Sequence, residues 1–355
     1  MPGPDLKELY AQHVKRKLLV GCVLVAAIVV AGALSLRTGA YPIGLGDMAR
    51  AFLGGADASV VHVFWNIRMP QTLAALLAGA CLGLAGAGMQ NVLRNPLASP
   101  FTLGISQGAV FGAVFAITVL GVGTAGAGGV ERAPAWLPHI IVVCAFAGSL
   151  ITVVALLCLS SVRNLSPAAL ILAGVAISAF FGSATMLLQY FASDIEIASA
   201  VFWTFGDLKK ARWPHLGVMA VVMTPAAGYF LWRAWHFNAM VWGDDTAKSL
   251  GISVRSLRLA ALVLAALAAS VTTAFMGIIG FVGLIAPHIV RMVVGQDHRF
   301  LFPYSALTAG LLLLVADLLA RTVMAPIVLP VGILTSFAGA PLFLYLLVKY
   351  RDIRS

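Results

Sequence analysis

Few side chains in this sequence could do chemistry, and none is grouped for catalysis. Trp242-Gly243-Asp244-Asp245-Thr246-Ala247-Lys248-Ser249 ends in Lys-Ser, as a phosphate loop does. A phosphate loop needs glycine directly before the lysine and again five residues earlier, so that backbone N–H groups cradle phosphate. Ala247 and Trp242 stand there instead, and two aspartates would repel a nucleotide. Cys22, Cys81, Cys144 and Cys158 fall singly in apolar runs, with no CxxC pair, and read as buried structural thiols. The seven histidines are scattered, so no metal site is expected. Asp317 is the one carboxylate inside an apolar run. Arg321 follows four residues later, so the two can pair on one helix face. Without paired carboxylates, a nucleophile or a His cluster, the chain does not read as an enzyme.

The elements that hold these residues are set by composition. Of 355 residues, 61% are hydrophobic and 10% charged, too little polar surface for a water-soluble domain of this length. Roughly 20 apolar residues, at about 1.5 Å each, span a hydrocarbon core about 30 Å thick. The first such run is Leu18 to Leu36, and others cover about 71–93, 101–122, 139–160, 168–191, 215–235, 259–279, 280–292, 303–320 and 330–348. These runs are continuous rather than alternating, so helices satisfy the backbone in lipid, not a barrel. The expected fold is all-α: a polytopic membrane protein of about ten transmembrane helices.

With both termini in the cytoplasm, Arg37, Arg50, Arg68, Arg132, Lys209, Lys210, Arg212 and Arg321 lie outside. The remaining 15 of the 23 Lys and Arg lie inside. That bias follows the positive-inside rule and accounts for the net charge of +10 without nucleic acid. The basic start followed by an apolar run and Ala31-Gly32-Ala33 imitates a signal peptide, but the run exceeds the usual length and spans follow at once, so retention is expected. The expected organisation is a cytoplasmic lead-in (1–17), one transmembrane domain (18–350) and a short cytoplasmic tail (351–355). Outer loops are expected at 37–67, 121–138 and 192–214, and one sizeable inner loop from about His236 to Arg258, with no ATPase module fused. Gly79, Gly83 and Ala87 form a small-residue face for close helix packing. Gly277, Gly280 and Gly283 predict a sharp or unwound connection.

Two groups of motifs are more specific. One is Ile67-Arg68-Met69-Pro70-Gln71-Thr72-Leu73, Gly86-Ala87-Gly88-Met89-Gln90-Asn91 and Arg94-Asn95-Pro96-Leu97-Ala98-Ser99-Pro100. The other runs Gly280-Phe281-Val282-Gly283-Leu284-Ile285-Ala286-Pro287-His288, Asp297-His298-Arg299, Ala316-Asp317-Leu318-Leu319-Ala320-Arg321, Leu329-Pro330-Val331-Gly332 and Gly339-Ala340-Pro341. In this order, across about 18–350, they resemble the iron-siderophore, haem and cobalamin permeases of type II ABC importers. The resemblance implies a multi-pass protein of the bacterial inner membrane, working as a homodimer of ten-helix subunits. Two cytoplasmic ABC ATPase subunits and a periplasmic substrate-binding protein would be its partners. It implies no cofactor in this chain, ATP and Mg²⁺ being used by the ATPase. The cargo would be a ferric siderophore, haem or cobalamin; an iron chelate is favoured as the family's broader use.

The same resemblance assigns sites. Gly243, Asp244, Asp245, Ala247, Lys248, Leu250 and Gly251 match the segment that couples to the ATPase. As residues they suit a short helix, with carboxylates in its first turn and a glycine stop, though an ordinary solvated loop fits them too. Arg68 and Arg321 match arginines that meet acidic residues of the binding protein; by residue type alone they could be snorkelling interfacial side chains. Two positions depart from the pattern: Gln71 stands where a second arginine is usual, and Val328 where a glutamate is. Lys209 and Lys210 could compensate. Asn95, Leu97, Pro167 and Ala168 match the cytoplasmic gate, and read otherwise as turn formers. A secondary transporter driven by an ion gradient is the competing class, but it calls for intramembrane ionisable sites, and Asp317 alone is a candidate.

Overall fold

The computed structural model describes residues 6–39, 41, 43–122, 137–163 and 166–352. Among them run fifteen α-helices: α1 (Leu6–Arg37), α2 (Leu45–Leu53), α3 (Ala58–His62), α4 (Met69–Val92), α5 (Ile105–Thr118), α6 (Leu137–Arg163), α7 (Pro167–Tyr190), α8 (Asp194–Thr204), α9 (Trp213–Trp232), α10 (Ala234–Val241), α11 (Asp244–Ser249), α12 (Val254–Met276), α13 (Val282–Val294), α14 (His298–Thr322) and α15 (Val331–Asp352). Seven apolar segments are long enough to cross a bilayer: Val14–Arg37, Ala58–Val92, His139–Leu159, Pro167–Tyr190, Trp213–Trp232, Val254–Met276 and His298–Thr322. Three shorter apolar helices, Ile105–Thr118, Val282–Val294 and Val331–Tyr345, account for the remaining expected runs. The all-helical membrane fold is as the sequence predicts.

Several expected boundaries move. The lead-in is not separate, since α1 runs unbroken from Leu6 through residue 17 into the first span. The expected loop 37–67 contains α2, α3 and a wide π turn at Val63–Arg68 that joins α3 to α4. Amphipathicity explains α2: Ala51 is buried and Phe52 stacks edge-on against Phe64, while Gly54 closes the helix in the left-handed conformation. Loop 192–214 likewise holds α8, started by a capping box between Ser193 and Glu196. The 236–258 loop is mostly α10 and α11. Pro42 and residues 123–136 of the loop expected at 121–138 lie outside the described residues. Two cysteine expectations fail: Cys22 and Cys158 are exposed on helix surfaces.

α4, α12 and α14 form the centre, with most of each span buried inside the protein, whereas most of α1, α7 and α9 faces outward. Residue size explains the division. α4 is rich in Ala and Gly, so backbones approach it on every side. A Cβ on Gly79 would lie 2.5 Å from the Ala309 carbonyl oxygen of α14, and one on Gly83 2.3 Å from that of Ser305. One on Gly86 would overlap the Gly283 carbonyl of α13 at 1.8 Å. The expected small-residue face is therefore a real seam, and α14 is its principal partner. A second seam joins α5 and α6, where a Cβ on Gly112 would sit 1.9 Å from the Cys144 carbonyl oxygen.

The glycine break after α12 is unwound as predicted. Gly277 has φ +80°, Asp207 N–H donates to Met276 O at 2.8 Å, and Gly332 N–H donates to Gly206 O at 2.9 Å. Three chain segments thus satisfy each other's backbone inside protein, the condition under which irregular backbone survives at membrane depth.

Candidate coupling and docking sites

α4 is 24 residues long, so its two ends lie about 36 Å apart. Arg68 precedes its first turn and Arg94 follows its last. Antiparallel α14 brings Asp317 to the first end and His298 to the second.

At the Arg94 end, α4 stops in an unusual way. Arg94 N–H donates to Asn91 O and Asn95 N–H to Gln90 O, the double closure that normally uses a left-handed glycine. Arg94 holds that conformation itself, at φ 47°. Its Nη2 donates to Asp244 Oδ1 at 2.7 Å, and Arg258 Nη2 reaches Asp244 Oδ2 at 2.9 Å while its Nε donates to Val92 O at 3.0 Å. The two first-turn aspartates therefore do different things, contrary to their equal treatment from sequence. Asp244 anchors α11 to α4 and α12. Asp245 stands almost fully exposed and pairs with Lys248 at 3.0 Å. Gly243 begins the helix at φ +122°, a backbone shape that favours glycine. Ala247 is buried beneath, and Leu250 and Trp242 are exposed. Gly251 N–H donates to Lys248 O and Ile252 N–H to Ala247 O, so the predicted glycine stop is formed. The segment 243–251 is a fixed platform with a polar and apolar outer face.

Asn95 Oδ1 accepts from Leu97 N–H at 2.8 Å, and Ser166 Oγ accepts from Ala169 N–H ahead of Pro167 and Ala168. Both expected gate segments are thus capped turns, and Leu97 and Ala168 expose their side chains. Asn95 also lines a cavity of about 230 Å³ with Asn91, Arg94 and His298. Nearby, burial works to raise the Asp297 carboxyl, but hydrogen bonds from Arg299 and Asn238 outweigh it and hold the group at about 2.

At the opposite end the sequence expectation is corrected. Arg68 and Arg321 do not present guanidinium groups to the outside, being 3% and 8% exposed. Arg68 Nη1 donates to Leu36 O at 2.6 Å and Arg37 O at 2.7 Å, and its Nη2 donates to Tyr41 O. Arg321 donates to Ser35 O, Thr38 O and Ser35 Oγ, and its Nη2 lies 2.6 Å from Asp317 Oδ2. The cause is the end of α1. A helix leaves its last carbonyls without partners, and buried ones need donors that water would otherwise supply. The two arginines supply them, and a positive group is favoured at a helix C-terminus. The predicted Asp317–Arg321 pair is present. Gln71, one of the departures from the resemblance, donates from Nε2 to Asp317 Oδ1 at 2.8 Å and completes the cluster. Of the lysines expected to compensate, Lys209 is exposed. Lys210 turns in over the Trp203 ring and donates to Trp203 O at 3.3 Å, burial holding its pKa below the ordinary value.

Known proteins give this geometry a context. Residues 27–349 match the FecCD transport family. An ABC transporter permease of Methanocaldococcus jannaschii, provisionally so named, is 50% identical over 345 residues, covering 97% of this chain and 98% of that protein. The hemin transport system permease of Yersinia pestis is 36% identical over 348 residues, 97% of this chain and 99% of its own length. A solved inward-facing structure, provisionally described as a metal-chelate type ABC transporter, superposes with a TM-score of 0.80 at 29% identity, covering 94% of this chain and 99% of that one. The chain belongs to the FecCD transport family and is a membrane permease component of an ABC transporter, not a catalytic enzyme.

Proposed function

We propose that this permease is the membrane subunit of an ATP-driven importer that carries an iron chelate, haem or cobalamin inward across the bacterial inner membrane. It works as a homodimer with two cytoplasmic ABC ATPase subunits and a periplasmic binding protein, both termini facing the ATPases. The observation that carries this reading is the 243–251 platform. Asp244 is anchored by two arginines, while Asp245, Lys248 and Leu250 project from it. A rigid platform with exposed groups is what a detachable motor needs to push against. ATP and Mg²⁺ belong to that motor. Hydrolysis-driven import also fits the low count of buried carboxylates better than ion-gradient transport, since Asp317 is spent on Arg321 and Gln71.

Asn95, Leu97, Pro167 and Ala168 act as the cytoplasmic gate in this reading. Docking charge at the outer face resides in the exposed Arg37, Arg50, Lys209 and Arg212, with Arg68 and Arg321 contributing through the shape of the α1 end. An iron chelate is the favoured cargo class, the Yersinia pestis relative being named for hemin transport.

The test is reconstitution of the chain with its ATPase and binding protein in liposomes, offering haem, ferrichrome or cyanocobalamin. Uptake of one of them should require ATP and survive collapse of ion gradients. Asp245→Lys, at a side chain free of buried contacts, should leave the membrane fold intact and abolish co-purification of the ATPase. Normal co-purification and full transport by that variant would remove the platform from the mechanism.

A further inference from the structure

Two motifs singled out in the sequence have no part in the reading above: Gln90-Asn91 at the end of α4 and Asp297-His298-Arg299 at the start of α14. They meet each other around a third residue, Asn238 of α10. Asn238 Oδ1 accepts from the His298 backbone N–H at 2.8 Å and lies 2.8 Å from His298 Nδ1. Asn238 Nδ2 donates to Asp297 Oδ1 at 3.0 Å. An amide oxygen can only accept, so Nδ1 carries the imidazole proton. Nε2 is then the acceptor for Asn91 Nδ2, 2.8 Å away. A neutral imidazole has one donor and one acceptor, and both are used, each on a different helix.

The surroundings make this joint stiff. His298 is 2% exposed, with Phe237 stacked over it and the Phe302 ring 4.9 Å away. Lys17 of α1 lies 3.8 Å from Asp297 Oδ2, and Tyr304 Oη–H donates to Lys17 O at 3.0 Å. The joint therefore fastens α10 to α4, α14 and α1.

α10 leads straight into the 243–251 platform, and the platform is fastened at a second point. Asp244 meets Arg94, and Arg258 joins Asp244 to Val92 O. Both fastenings reach the last turn of α4 or the residue that closes it, at Asn91 and at Val92–Arg94. A displacement of α10 and α11 thus acts on α4 at two points, and a rigid body held at two points transmits rotation as well as translation. From α4 the displacement passes to α14 and α13 through the close backbone seams at Gly79, Gly83 and Gly86.

We propose that Asn238, His298 and Asn91 form the mechanical joint through which the platform drives α4 and α14. They are positioning residues that set how much cargo moves per ATP, and they bind neither cargo nor ATPase. The proposal rests on the platform's being the ATPase contact. A joint that served the fold alone would, when cut, reduce assembly, hydrolysis and transport together. A transmitting joint uncouples them.

The experiment uses the full complex in liposomes, with whichever of haem, ferrichrome or cyanocobalamin the wild type moves, and reads ATP hydrolysed and cargo transported in the same sample. Asn238→Ala and Asn91→Ala should assemble with the ATPase and hydrolyse ATP within about twofold of wild type, while cargo moved per ATP falls about fivefold or more. Because both meet at one imidazole, the double variant should be little worse than Asn238→Ala, the single variant that also loses the bonds to Asp297 and to the His298 backbone. His298→Gln, whose amide can still donate to Asn238 and accept from Asn91, should keep the ratio within about twofold. Proportional loss of hydrolysis and transport, additive effects, or failure of the variants to assemble would overturn the proposal and make the cluster a fold element. A wild-type complex with no ATP-dependent uptake would instead sink the functional reading.

Discussion

The two ends of the α4–α14 pair are built from similar materials and arranged in opposite ways. At the Arg68 end, two arginines, one aspartate, a glutamine and two hydroxyls are spent on one another and on the carbonyls of α1. Little charge is left to reach outward. At the Arg94 end the buried polar groups are mostly neutral, and the charges form a chain that ends on an exposed helix. A closed network holds a helix in place. An open one passes force to whatever touches its last member. The difference teaches that the type and spacing of charged residues do not identify a contact surface; what their donors are already bonded to does.

The largest expected effect is at the closed end. Removing one partner of a buried pair leaves the other charged and unsolvated, which costs about 3–5 kcal/mol. Arg321→Ala strands Asp317 and also the Ser35 and Thr38 carbonyls, so it should lower the yield of folded protein in detergent, seen as loss of the monodisperse peak in size exclusion. Replacing both members, Asp317→Leu with Arg321→Met, should recover much of that yield. If Arg321→Ala folds with wild-type thermal stability and only slows association with the binding protein, the clamp is wrong and a docking role returns.

A mid-sized effect separates backbone from side chain at Arg94. Left-handed backbone costs a non-glycine residue roughly 1–2 kcal/mol. Arg94→Gly relieves that cost while removing the link to Asp244. Arg94→Ala removes the link and keeps the strain. Thermal melts should therefore rank Gly above Ala by about 1 kcal/mol, while both lose ATPase stimulation to the same degree. Equal melts would show that the turn relaxes once the arginine is gone.

How much of this was legible in the sequence depends on how local each cause is. Gly79 and Gly83 were readable because their spacing along one helix is the packing signal itself. Gly108, Gly112 and Gly148 were not singled out, although a Cβ on Gly148 would lie 2.1 Å from the Gly108 carbonyl oxygen. Their meaning lies in a crossing of two helices separated by a long connection. The unwound step at Gly277 was legible; its partners Gly206 and Gly332 lie about 70 and 55 residues away and left no local trace. Asp317 and Arg321 announced their pairing by a four-residue interval. The task of Arg68 was hidden, because the orphan carbonyls it serves belong to a different helix about 30 residues earlier. Asp297-His298-Arg299 stood out only as part of a longer motif, and the structure makes it the capped first turn of α14.

The smallest expected effect turns the comparison into a matched pair. Asp245–Lys248 and Asp317–Arg321 are both acid-to-base pairs within one helix, three and four residues apart, at 3.0 and 2.6 Å. The first has side chains 97% and 64% exposed, the second 4% and 6%. Water and salt screen the exposed pair, whose members also lose rotamer freedom to hold it, so it contributes about 0–1 kcal/mol. Lys248→Ala should accordingly leave the melting temperature of the free permease almost unchanged, in contrast to Arg321→Ala. Its effect belongs to assembly. With Lys248 gone, Asp245 faces the ATPase as an uncompensated carboxylate, so association should become more dependent on ionic strength, rim charges acting over a Debye length of about 8 Å at physiological salt. Association rates measured over a salt series decide it. A stability loss comparable to that of Arg321→Ala would mean that burial does not govern these pairs, and an unchanged salt slope would mean that Asp245 does not face the motor.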